Sequence, residues 1–220
     1  MIHLDLTQAS TITMTEPSTP TPTPYRQIRA LYTPTTITVY QAYKSAIATA
    51  AVAHQKLNAS PSFRTTRMTW VKPSWAWMLY RAGYSYKDPG QERILALTMK
   101  HEDFLKILSK GVASEAEGGG AGQERELPEV RIQWDPERTV RLEKLEYRSI
   151  QIGIPASLSE AWVEGMIVGI EDVTDKAREL KKVLDERPDV SDEELIQLGL
   201  VPEERPFEIS EELQRGLRMI

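Results

Sequence analysis

The segment TTITVYQAYKSAIATAAVAHQKL, Thr35 to Leu57, decides the fold class. Its first part, Thr35 to Tyr43, alternates and is rich in β-branched and aromatic residues, which predicts a strand. Its second part, Ser45 to Leu57, is alanine-rich, with Ser45 as the expected N-cap, and predicts a helix. A strand running straight into a helix puts the residues at the strand exit (Tyr40, Gln41, Ala42 and Tyr43) where folds that mix strands and helices place ligands. Tyr40 and Tyr43 have a plainer reading as half-buried strand tyrosines.

Downstream, RMTWVKPSWAWMLYR (Arg67 to Arg81) holds three of the five tryptophans, a Lys-Pro pair and two arginines. Arg67 to Val71 reads as a short strand ended by Lys72-Pro73. Ser74 can cap a following helix, on which Trp75, Met78 and Leu79 fall at i, i+3 and i+4 and form the expected buried stripe. Trp77 and Arg81, also i and i+4, lie on another face, where they could make a cation–π contact or flank a ligand ring. Lys72 sits just ahead of the helix N-terminus, beside its free N–H groups and its positive dipole end, an arrangement suited to phosphate or carboxylate. Core packing for the tryptophans and a solvated role for Lys72 and Arg81 are the competing readings.

Upstream, PYRQIRALY places Arg26 and Arg29 three apart, on one face if the turn is helical. Residues 1–24, ending in TEPSTPTPTP, are rich in Thr, Ser and Pro and predict a disordered tail. Further along, Arg93 to Met99 predicts a buried strand and His101 to Lys110 an amphipathic helix. Residues 111–126 (GVASEAEGGGAGQERE) predict a flexible insertion. Strand-like alternation resumes at Glu129 to Trp134, Asp135-Pro136-Glu137-Arg138 reads as a turn, and Tyr147 to Ile152 alternates again. In that last run Arg148 and Ile150 face one way, Ser149 and Gln151 the other. Ser157 to Glu164 predicts a short helix, Met166 to Ile170 a last strand and Asp175 to Glu186 a charged helix. Ser191 to Glu194 is an S-x-x-E capping box. The expected architecture is α+β: a single domain over residues 25–174 with a mixed sheet of about five or six strands, open to being split, flanked by helices. An acidic helical extension covers 175–220.

Composition narrows the chemistry. With no cysteine there are no disulfides, thiolate metal sites or cysteine nucleophiles. Three scattered histidines give no metal-ligand spacing, so no metal is expected. Phosphate-loop, G-x-G-x-x-G and G-x-S-x-G motifs are absent. With no apolar run of membrane-spanning length and no secretory leader pattern, no membrane partner is expected and the location is expected to be intracellular, cytoplasmic or nuclear. The net charge of -5 hides an asymmetry: Tyr25 to Lys100 carries eleven Lys/Arg against Asp88 and Glu92 alone, while His101 to Ile220 is acidic throughout. The basic third should attract phosphates, or else it matches the acidic remainder internally.

The blocks YRQIRALY, ITVYQAY, RMTWVKPSWAWMLYRAGY, PGQERILAL, RIQWDPER, YRSIQIGI and IEDVT, in this order, resemble the family catalogued as domain of unknown function 4291. The resemblance covers Tyr25 to Thr174 and implies no particular activity. A second resemblance, of VYQAYKSAIATAAV to the opening of ADP-ribosyltransferase-like domains, implies a split mixed sheet with NAD bound in its cleft. It implies Tyr40 beside the nicotinamide ribose, Gln41 where a His often sits and Gln151 where many members carry a catalytic Glu. Neither Gln can supply the negative charge that steadies an oxocarbenium-like centre. Members acting on phosphorylated RNA rely on arginines, a role that Arg26, Arg29, Arg81 and Arg148 would fill.

Two functions follow as expectations. One is an NAD-dependent transferase acting on a nucleotide or nucleic-acid phosphate. In it Gln41, Lys72 and Gln151 are the catalytic candidates, and Arg26, Arg29, Tyr40, Ser74, Trp77, Arg81 and Arg148 bind ligand. The other is a non-catalytic single-stranded nucleic-acid-binding module using the basic, aromatic-rich face. The sequence leaves the oligomeric state open.

Overall fold

The computed structural model describes residues 22–113 and 130–220, so most of the Thr/Pro-rich tail and of the glycine-rich insertion lies outside the described residues. The elements in chain order are β1 (Arg29–Ala30), β2 (Thr36–Tyr43), α1 (Ser45–His54), β3 (Thr69–Val71), α2 (Trp75–Ala82), β4 (Arg93–Lys100), α3 (His101–Leu108), β5 (Gly111–Ala113), β6 (Val130–Arg138) and β7 (Lys144–Ile154). They continue with α4 (Ala156–Ala161), a π-helical turn (Trp162–Met166), β8 (Ile167–Asp172), α5 (Thr174–Glu186), α6 (Asp192–Gln197), β9 (Arg205–Pro206) and α7 (Glu211–Gly216). This is an α+β fold.

The strands form three sheets among the described residues, ordered β2-β4-β8, β3-β7-β6-β5 and the small pair β1-β9. All pairings are antiparallel except β5 with β6. The period-2 alternation explains how the two larger sheets share one core. Ile37, Val39, Leu95, Leu97 and Met99 from the first sheet meet Val71, Val130, Ile132, Ile150, Ile152 and Ile154 from the second. The opposite side of β2 and β4, with Tyr40, Ile94 and Ala96, packs into a second cluster against Trp75, Met78 and Leu79 of α2 and Ala177 and Leu180 of α5. Where the sheets meet, Tyr40 N–H donates to the Lys72 carbonyl at 2.7 Å and Lys72 N–H to the Tyr40 carbonyl at 3.2 Å.

Several local expectations change. Ser45 is the first helical residue of α1 and not its cap; the Glu92 carboxylate accepts the Ser45 N–H at 2.8 Å and fills that role. The segment around Arg26 and Arg29 forms no helix, because Arg29–Ala30 pairs with Arg205–Pro206 of β9. The stretch Asp135-Pro136-Glu137-Arg138 is not a turn. It prolongs β6 along β7, with an irregularity in register between Pro136 and Arg138. A bulge is one of the few places where a proline, lacking its N–H, fits in a paired strand. Gly111–Ala113, read as the start of the insertion, is β5. The C-terminal segment is helical as expected, and Phe207, Ile209 and Leu217 are buried in the same cluster as the two sheets.

Candidate functional site

The far face of the four-stranded sheet is polar. Alternation along β6 puts Arg131, Gln133 and Asp135 on it, and the register with β7 sets these opposite Gly153, Gln151 and Ser149. Trp70 of β3 also pairs with Gly153. A Cβ on Gly153 would come within 2.9 Å of the Trp70 indole, so glycine is what lets that ring lie against the sheet. The chain leaves β3 at Val71, and Lys72 follows on the same side as Trp70.

Lys72 is the centre of this face. It is only 5% exposed, and its ammonium lies 4.5 Å from the centre of the Trp77 ring. Burial, followed by repulsion from Arg81, lowers its pKa from the ordinary 10.5 to about 7, against the attraction of Asp135. Asp135 is itself pushed upward, because burial outweighs its attraction to Lys72 and Arg148. Its Oδ2 is buried with no hydrogen-bond partner. Beside them the Gln151 amide donates to Gln133 Oε1 at 2.7 Å.

A pair of acids, Glu137 and Glu204, secures the N-terminus of α2. Ser74 is its N-cap, accepting the Trp77 N–H at 3.0 Å while its hydroxyl donates to Glu137 Oε1 at 2.9 Å. Glu204, which lies 129 residues beyond Trp75, accepts the Trp75 N–H at 2.6 Å. Burial raises the pKa of both carboxyls; repulsion from Glu137 raises that of Glu204 further, while Arg29 opposes the rise in both. Carboxylates at a helix N-terminus meet its unsatisfied N–H groups and positive dipole end, which offsets part of that penalty.

Among the residues singled out from sequence, Lys72, Ser74, Trp77, Arg81 and Gln151 converge on or beside this face. Trp77 pairs with Lys72 and not with Arg81, which is exposed at the helix surface. Gln41 and Tyr40 are placed differently. Gln41 is 4% exposed; its amide donates to Thr69 Oγ1 at 2.7 Å and the Trp70 carbonyl at 2.8 Å, and its Oε1 accepts from Tyr43 Oη at 2.7 Å. Tyr40 packs its ring against Trp75, 5.2 Å between centroids. Gln41 therefore fastens β2 to β3, and the Tyr40 ring fastens β2 to α2. The three remaining arginines hold the chain. Arg26 donates to the Arg218 carbonyl, Arg29 to that of Glu204, and Arg148 to that of Trp134 and to Tyr25 Oη.

Asp135, Glu137 and Glu204 were missed from sequence. Reading β6 onward through Asp135-Pro136 would have put Gln133, Asp135 and Glu137 on one side; the proline argued for a turn. Glu204 has no local signal. Among the described residues no group of three or more His, Asp and Glu is placed to hold a metal ion, and no helix is long and apolar enough to cross a membrane.

A family model described as domain of unknown function (DUF4291) matches residues 27–207, most of the chain, and the protein belongs to that family. No curated protein matches it.

Proposed function

Since membership of this family leaves the chemistry open, we propose on geometry that the chain is a nucleotide-binding transferase working over the polar face of the four-stranded sheet. Lys72 is its acid–base group and NAD the first ligand to test. The observation that carries this reading is a lysine side chain buried to 5% exposure with its ammonium 4.5 Å from the Trp77 ring, a setting that disfavours its charge and lowers its pKa to about 7. Ordinary structural lysines keep the ammonium in water; one that titrates near 7 is matched to proton transfer at physiological pH. The surroundings suit an anionic, flat ligand. Trp77 and Trp70 offer ring faces, Arg81 offers an exposed cation with no ion-pair partner among the described residues, and the Gln133–Gln151 pair offers amide groups for a ribose or carboxamide. Asp135, with one oxygen unpartnered, could supply the negative charge next to a ribosyl centre that Gln151 cannot. The acceptor in this reading is a phosphate of a nucleotide or nucleic acid.

Titration calorimetry of NAD and ADP-ribose into the protein tests it. Saturable heat is expected, lost in Lys72→Met and weakened at least tenfold in Asp135→Asn, where one charged contact is removed. Absence of heat with NAD, ADP-ribose and ATP would overturn it.

A further inference from the structure

From Trp77 outward, aromatic rings and cations alternate along α2 and the loop after it. The Trp77 ring lies 6.0 Å from that of Tyr80. The Arg138 guanidinium sits 3.8 Å over the Tyr80 ring, with the Lys87 ammonium 5.7 Å from it. Tyr86 is 63% exposed, the highest value of any aromatic residue described, and carries the Arg178 guanidinium 5.2 Å from its ring. Arg81 and Lys87 are exposed, with no ion-pair partner among the described residues. Two acids lie at this end: Asp88 accepts the Gly90 N–H at 2.7 Å and its charge also interacts with Arg81 and Lys87, and Glu92 accepts the Ser45 N–H at 2.8 Å and interacts with Arg178.

We infer that this ladder is a track for single-stranded nucleic acid leading to Lys72. It rests on the reading of the Lys72 face as a transferase site and names that site's acceptor as an unpaired strand. The chemistry of the ladder selects such a partner. The exposed Tyr86 ring and the half-buried Tyr80 ring, each beside a cation, meet a polymer whose bases present open π faces and whose backbone presents a phosphate at each step. A duplex hides its base faces in the stack and would engage the cations only. An acidic peptide would satisfy the cations and leave Tyr86 without a role. Guanidinium groups already lying on tyrosine rings are held where a base can stack on them and a phosphate can reach them.

Fluorescence anisotropy with a labelled mixed-sequence strand, in RNA and DNA forms and as the matching duplex, tests the inference. The single strand is expected to bind more tightly than the duplex. Tyr86→Ala should weaken single-strand binding about tenfold. Lys87→Ala should lower the slope of log affinity against log salt by about 0.7. Whichever of RNA and DNA binds more tightly identifies the source of the strand. Both side chains are exposed, so equal unfolding midpoints verify the fold, and NAD binding should be unchanged in both variants. No binding of either strand at low salt, a duplex bound as tightly as the strand, or an unchanged affinity in Tyr86→Ala would each overturn the inference. Strand binding without NAD binding would leave the track standing and remove the proposed cofactor; the reverse would do the opposite.

Discussion

Two glutamines in this chain look alike in sequence, each in an alternating strand, yet the structure gives them different work. Gln41 spends both amide hydrogens and its oxygen inside the protein, tying β2 to β3. Gln151 is half-buried on the polar face and bonds only to Gln133. Truncating Gln41 removes its hydrogen bonds to Thr69 and the Trp70 carbonyl of β3 and to the Tyr43 hydroxyl, and a buried polar group that loses its partner costs about 1–3 kcal/mol. Gln41→Ala should therefore lower the urea-unfolding stability by about 2 kcal/mol, whereas Gln151→Ala should change it by less than about 0.5 kcal/mol. Equal losses in the two variants would count against this assignment. The sequence made both catalytic candidates and did not separate them, because alternation gives the side of a strand and not what covers that side.

At the scale of elements, local chemistry was legible where it was self-contained. The caps Ser74 and Ser191 accept the N–H of the third residue following, as their spacing implied. The stripe of Trp75, Met78 and Leu79 is buried. What failed depended on distant chain: the β6 bulge is stabilised by β7, the Ser45 N–H is met by Glu92, and α2 is held by Glu204. That last contact has a pH signature. The Glu204 carboxyl has a folded pKa above its unfolded value, so its favourable contribution is complete below the ordinary carboxyl range and is lost as pH rises through the folded value. Glu204→Gln keeps an oxygen for the Trp75 N–H and removes the charge. Its thermal midpoint should exceed that of the wild type at pH 8 and the difference should vanish near pH 4. A variant less stable than the wild type at pH 8 would mean that Glu204 is held as a needed anion.

For the molecule as a whole, the mix of strand and helix patterns announced an α+β fold and the order of charges a basic third, and part of that asymmetry is internal. Lys56 pairs with Glu164 and Arg93 with Asp172, while Arg64, Arg67, Arg81 and Lys87 remain without ion-pair partners among the described residues. The arrangement of the sheets could not be read, since it rests on which strand faces share a core. That arrangement sets Lys72 at the seam: its backbone closes the bridge to Tyr40 while its side chain is buried against Trp77. Burial at the seam is what disfavours its charge, and a ligand phosphate arriving there would restore it. Nuclear magnetic resonance of the lysine side chains as a function of pH, with Lys72→Arg identifying the signal, tests this directly. The Lys72 resonance should titrate with a midpoint near 7, moving upward when ADP-ribose is present. A midpoint near the ordinary 10.5, unmoved by ligand, would contradict Lys72 as the acid–base group of the site.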